Sequence, residues 1–80
     1  METKKKDDRK LLGSQIEDRI LEYIKEKPLE VGDRLPNEFE LAEMFEVGRS
    51  TIREAVKGLV TKGVLQVRRG AGTYVNSLTP

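Results

Sequence analysis

Apolar positions along this chain recur at two periods, and the change from one to the other divides it. Up to about residue 62 they fall at helical spacing. From residue 64 they form two short runs around a glycine-rich turn. Ile16, Ile20, Tyr23 and Ile24 share one helical face. Ser14 with Glu17 is a capping-box pattern, so a helix is expected to start after Ser14 and run to about residue 27, ahead of Pro28. Gly32 and Asp33 mark a turn, and Leu35 before Pro36 is pushed towards extended backbone, so Arg34 and Leu35 can form a short first strand. Asn37 then caps a second helix over 38–45. Glu40 completes its box, Pro36 and Leu41 occupy the staple positions, and Leu41, Ala42 and Phe45 face inward.

Residues 46–48 break the pattern, and Gly48 suits an N-cap. A third helix over about 49–62 carries Ile52, Ala55, Val56, Leu59 and Val60 as one apolar stripe, and Gly63 fits the left-handed position past its end. Residues 64–68 read as a strand, 69–72 as a turn and 73–75 as the returning strand. The pattern predicts an α+β domain over residues 10–76, three helices followed by a two-stranded β-hairpin. The helix pair at 38–57 has the helix-turn-helix form, with a wing at 64–75. The last residues read as the start of a linker.

Composition narrows the chemistry. With 80 residues, no cysteine and no histidine, the chain offers no disulfide, no Cys or His metal site and no histidine-based triad. No metal, no cofactor and no enzymatic activity are expected. No apolar run nears the ~18 residues of a membrane span, and the opening METKKKDDRK lacks the apolar segment of a signal peptide. A cytoplasmic location is the expectation. Residues 1–9 read as a solvated, disordered lead-in, with a weak phosphate-binding arm as the alternative.

The net charge of +1 hides a segregation. Residues 1–48 hold nine basic and thirteen acidic residues; residues 49–80 hold six basic residues and one acid, Glu54. Such an asymmetry points to a negative partner that meets the C-terminal half. The major groove of DNA admits an α-helix, and the first turn of such a helix reaches base edges. Arg49, Ser50, Arg53 and Lys57 lie within about a third of the third helix's circumference, beside the apolar stripe. Arginine suits the paired acceptors of guanine, and Ser50 and Thr51 suit phosphate oxygens. Taken alone, this helix reads equally well as a solvated face with charges at i, i+4. The hairpin shifts the balance, because Arg68 and Arg69 near its tip are what a phosphate- or minor-groove-contacting wing needs. Gly70 and Gly72 join two strands, so their G-x-G is not a nucleotide-binding loop.

L-x-x-G-D-R-L-P-x-E, E-L-A-E, V-x-R-S-T-I-R-E-A, L-x-x-K-G-V-L and R-x-G-x-G-T-Y-V occur in that order over roughly residues 10–76. Together they resemble the DNA-binding domain of the GntR family of bacterial transcriptional regulators. Arg53-Glu54-Ala55 is most similar to the FadR-type branch. The resemblance implies an effector-responsive regulator, a repressor or an activator, that binds a palindromic operator as a homodimer. It also implies a third helix in the major groove and a wing tip in the adjacent minor groove. Carried over, Arg49 reads a base, Ser50 and Thr51 hold phosphates, Arg53 contacts a base or phosphate, and Arg69 with Gly70 serves the wing. Lys57 is added on helical geometry.

Two positions depart from the family pattern. Gly48 stands where a hydroxyl is usual, and Phe39 stands where arginine is usual. With Asn37 they make a second, DNA-proximal set. Phe39 lies off the inner face of its helix, so partial exposure is expected. It can pack on the first helix or Leu35, or it can alter operator preference through contact with a thymine methyl. Family members continue into an effector-binding, dimerising domain, so this chain is expected to be an excised domain or a stand-alone protein. The competing reading is a winged helix used as a protein-interaction adaptor.

Overall fold

In a computed structural model, which describes residues 4–77 and side chains from residue 13 onward, three helices precede one antiparallel hairpin. They are α1 (Lys4–Glu26), α2 (Glu38–Phe45), α3 (Arg49–Thr61), β1 (Leu65–Arg68) and β2 (Gly72–Val75). The α+β winged helix-turn-helix read from the sequence is the architecture observed.

The start of α1 differs from expectation. Ser14 is not an N-cap; it is an exposed residue inside a helix that begins ten positions earlier. Residues 4–9, expected as disordered, are helical, while residues 1–3 lie outside the described set. The stretch KKKDDRKLL contains no proline, glycine or β-branched residue, and its Lys and Asp are spaced for i, i+3 and i, i+4 pairing. Nothing upstream of Ser14 stops a helix, so the capping pattern has no end to cap.

The second capping box forms as read. The Glu40 amide donates to Asn37 Oδ1 at 2.8 Å, and the Asn37 amide donates to Glu40 Oε1 at 2.9 Å. Here Pro36 precedes the cap and prevents the helix from extending backwards. At the other end of α2, Glu46 turns left-handed with φ 57° and its amide bonds back to the carbonyls of Ala42 and Glu43. The chain then re-enters a helix at Gly48. This short turn fixes α3 across α2.

Among the described residues the core is wholly apolar. Ile16, Ile20 and Ile24 of α1 meet Leu41, Ala42 and Phe45 of α2 and Ile52, Ala55 and Leu59 of α3, with Leu35, Val64, Leu65 and Val75 closing it. Tyr23 and Val56 pack at its margin. Val60, read as part of the α3 stripe, is 37% exposed. At about 100° per residue it lies roughly 100° from the centre of the face formed by Ile52, Ala55 and Leu59.

β1 and β2 pair in register, Leu65 with Val75 and Arg68 with Gly72. Leu65 and Val75 root the hairpin in the core. The segment 33–35 adds a third rung: Leu35 N donates to Thr73 O at 2.8 Å, Val75 N donates to Asp33 O at 2.9 Å, and Arg34 bridges Tyr74. The short first strand read at Arg34 and Leu35 is thus a single bridge. After β2 the amides of Asn76 and Ser77 donate to Val64 O at 2.8 and 3.2 Å, so the chain stays tied to the end of α3 up to Ser77. Residues 78–80 lie outside the described set.

Candidate nucleic-acid interface

The first turn of α3 is open. Gly48 is its N-cap, in extended backbone, and contributes no side-chain hydrogen bond. The amides of Thr51 and Ile52 return to the Gly48 carbonyl. Those of Arg49 and Ser50, at the positive end of the helix, have no side-chain cap, which favours an anion there. A Cβ on Gly48 would meet nothing within 4 Å, so the expected hydroxyl is absent from open space and is not excluded by crowding.

Helical rotation sorts the side chains. Ser50 and Lys57, both exposed, point away from the buried face, and Arg49 and Arg53 flank them on the side of α2. Thr51 is half-buried on the α1 side. Among the described residues, the Lys57 ammonium has no ion-pair partner.

Arg49 and Arg53 are both held by one carboxylate. Glu38, the first residue of α2, accepts from Arg53 Nε at 3.0 Å and Arg53 Nη2 at 3.2 Å. It accepts from Arg49 Nε at 3.3 Å. The Arg53 hydrogen bond holds the Glu38 carboxyl below the usual glutamate range against partial desolvation, with Arg49 adding to it. The same bond raises the Arg53 guanidinium. No local spacing reveals the fork, because its partners are 11 and 15 residues away.

Asn37 and Phe39 flank Glu38. The Asn37 oxygen is committed to its cap, whereas Phe39 is 54% exposed and outside the core. The partial exposure expected from helical geometry is what the structure shows.

The wing carries a second basic group. The turn closes through Ala71 N donating to Arg68 O at 2.9 Å, with Gly70 at φ +77° and Gly72 at φ +126°. Arg68 is the last residue of β1. Its Nε donates to Gln66 Oε1 at 3.3 Å, and its guanidinium lies 4.5 Å from the centre of the Tyr74 ring. The Tyr74 hydroxyl donates to Ala71 O at 3.3 Å, bracing the turn. Arg69 sits in the turn, exposed, with no ion pair among the described residues. Arg34, read from the sequence only as part of a short strand, lies beside this turn: a Cβ on Gly72 would fall 2.9 Å from Arg34 Nε. A cleft lined by Pro36, Glu38, Arg53, Val56, Val67 and Thr73 separates the start of α3 from the wing. The cleft sets Arg53 opposite Val67 and Thr73 of the hairpin, and no hydrogen bond or ion pair among the described residues joins Arg68 or Arg69 to α3.

Among the described residues no group of three or more acidic side chains could hold a metal ion, and no helix is long and apolar enough to cross a membrane. An exposed basic helix start beside a basic hairpin, on an apolar three-helix core, defines a winged helix-turn-helix DNA-binding domain.

Residues 12–75 match the family of bacterial regulatory proteins called the gntR family, and the chain belongs to that family. It is similar to the Uxu operon transcriptional regulator of Escherichia coli (strain K12), 47% identical over 64 residues, which are 80% of this chain and 23% of that protein. Its fold matches the solved structure of Streptococcus agalactiae GntR with a TM-score of 0.77 and 55% identity, over 81% of this chain and 31% of the other. It also matches the AraR DNA-binding domain solved in complex with the operator ORX1, with a TM-score of 0.73 and 34% identity, over 80% of this chain and 77% of the other. The chain spans about a quarter of the length of the curated relatives it matches. Those relatives are regulators of transcription, and this chain is a DNA-binding domain of that kind.

Proposed function

We propose that the chain reads a palindromic operator as one half of a homodimer, within an effector-responsive repressor in the cytoplasm. It does so as a binding module, with no catalytic step and no cofactor of its own. The observation that carries this is the open, uncapped start of α3, with Arg49, Ser50 and Arg53 around it and Lys57 one turn further on. Arg49 and Arg53 reach base edges, and Ser50, Thr51 and the first amides of α3 take phosphate oxygens. Arg69 and Gly70 bring the wing to the neighbouring minor groove, and Arg68 supports them from the strand. Asn37, Phe39 and Gly48 complete the DNA-facing rim.

The dimer is supplied elsewhere. Among the described residues, the apolar faces of the three helices pack into one small core, and no heptad seam remains for a partner helix. The 80-residue chain alone is expected to sediment as a monomer and to bind duplex DNA weakly. Joining two copies by a flexible linker should raise affinity by roughly 10²–10⁴ through effective concentration.

The test is a salt titration of duplex binding by the joined pair. Each phosphate contact steepens the fall of log K with log salt by about 0.9. A combined slope of roughly −4 or steeper supports DNA as the partner. Absent or salt-independent binding would reject it and favour the adaptor reading.

A further inference from the structure

We propose that Glu38 is a positioning residue: it pre-forms Arg49 and Arg53 into a single reading fork and restricts both guanidiniums to one mode of approach to guanine. This deepens the function proposed above and rests on it. Glu38 Oε1 receives Arg49 Nε and Arg53 Nη2, while Oε2 receives Arg53 Nε. Arginine can pair with guanine O6 and N7 either side-on, through Nε and one terminal nitrogen, or end-on, through both terminal nitrogens. Glu38 occupies Nε on both residues. Only the end-on edges remain free, and both arginines are more than half exposed.

The carboxylate has two further effects. It spans α2 and α3, so the reading edge moves with the helix pair as one body and little rotamer freedom remains to be lost on binding. It also cancels one of the two positive charges, leaving the fork with a net charge of +1. That lowers attraction to phosphate in general while leaving the hydrogen-bonding edges intact. Glu38 therefore raises discrimination more than affinity. Its lowered carboxyl pKa is the expected companion of this geometry.

The test compares wild type with Glu38→Gln, both as joined pairs, against duplexes selected by the wild type. Glutamine keeps the size but presents an amide donor to the donors of one arginine, so the fork opens. Preference for guanine at the fork's positions should fall roughly tenfold. The salt slope should steepen by about 0.9 as one charge is freed, and affinity for unrelated duplex should rise. The thermal midpoint should hardly move, because both arginines are more than half exposed and ion pairs of that kind add little to stability.

A tighter complex with guanine preference intact would show that Glu38 merely competes with DNA for the arginines. An unchanged profile and slope would make it a bystander. Either result overturns the proposal while leaving DNA binding by the wild type standing, whereas a wild type that binds no duplex overturns the function itself. If the variant does not fold, nitrogen-edited NMR of the wild type decides. Protected Nε–H signals of Arg49 and Arg53 should persist in the DNA complex, and their loss on binding would contradict the fork.

Discussion

Replacing Phe39 by arginine separates a structural role from a DNA-facing one, and the geometry sets both magnitudes. Phe39 is 54% exposed, so a little under half of it is covered. A phenylalanine buries about 150–250 Å² when fully enclosed, so here roughly 90 Å² is covered, about 2 kcal/mol at 25 cal/mol/Å². The aliphatic stem of an arginine can lie over much of the same surface. The net cost to folding should be about 1 kcal/mol or less, and the thermal midpoint should fall by less than about 8 °C. On DNA, the new guanidinium stands beside Glu38 and Glu40 and restores a cation near the phosphates. A charge-assisted hydrogen bond there contributes about 1.5–3 kcal/mol where water is excluded, roughly 10–150-fold in affinity. The assay is a pair of measurements on Phe39→Arg: thermal unfolding and titration of a selected operator. Loss of more than about 3 kcal/mol of stability, with neither gain nor shift in operator preference, would refute the reasoning and make Phe39 a packing residue.

Arg49→Ala should cost about 1–3 kcal/mol on the best operator and relax preference at one base position. Lys57→Ala, two turns deeper on the solvent side, should weaken all sequences equally and flatten the salt slope by about 1; binding profiles of both variants check this pair. Gly72→Ala should destabilise the hairpin by about 1–3 kcal/mol, because φ is +126° there and a Cβ would press on Arg34; chemical denaturation reads the loss. The Glu38 carboxyl should titrate below the ordinary glutamate range in carboxyl-carbon NMR, and Arg53→Ala should return it towards that range. Its folded pKa is depressed, so its contribution is present above the unfolded value and is lost as pH falls through the lowered one.

Elements whose causes are local were legible in the sequence. The cap at Asn37, the inner face of α2, the break at Gly48 and the end of α3 at Gly63 each follow from a few neighbouring residues. The same logic misplaced the start of α1, where Ser14 and Glu17 show the capping pattern but no residue before them ends a helix. At Asn37 the preceding proline supplies that stop. The basic start of α3 and the wing arginines could likewise be found from charge and periodicity. What could not be found depends on how elements cross. The Glu38 fork needs α2 and α3 at one particular angle, the stacking of Arg68 on Tyr74 needs the hairpin register, and Arg34 reaches the wing only because residues 33–35 pair with β2.

Whether α3 and the wing read a two-fold symmetric operator is decided by selecting bound sequences from a random pool of duplex DNA with two joined copies of the chain. A palindromic consensus containing guanine at symmetric positions is expected, with those positions losing their preference in Arg49→Ala. Recovery of no enriched sequence, or of a consensus that Arg49→Ala reproduces unchanged, would contradict it.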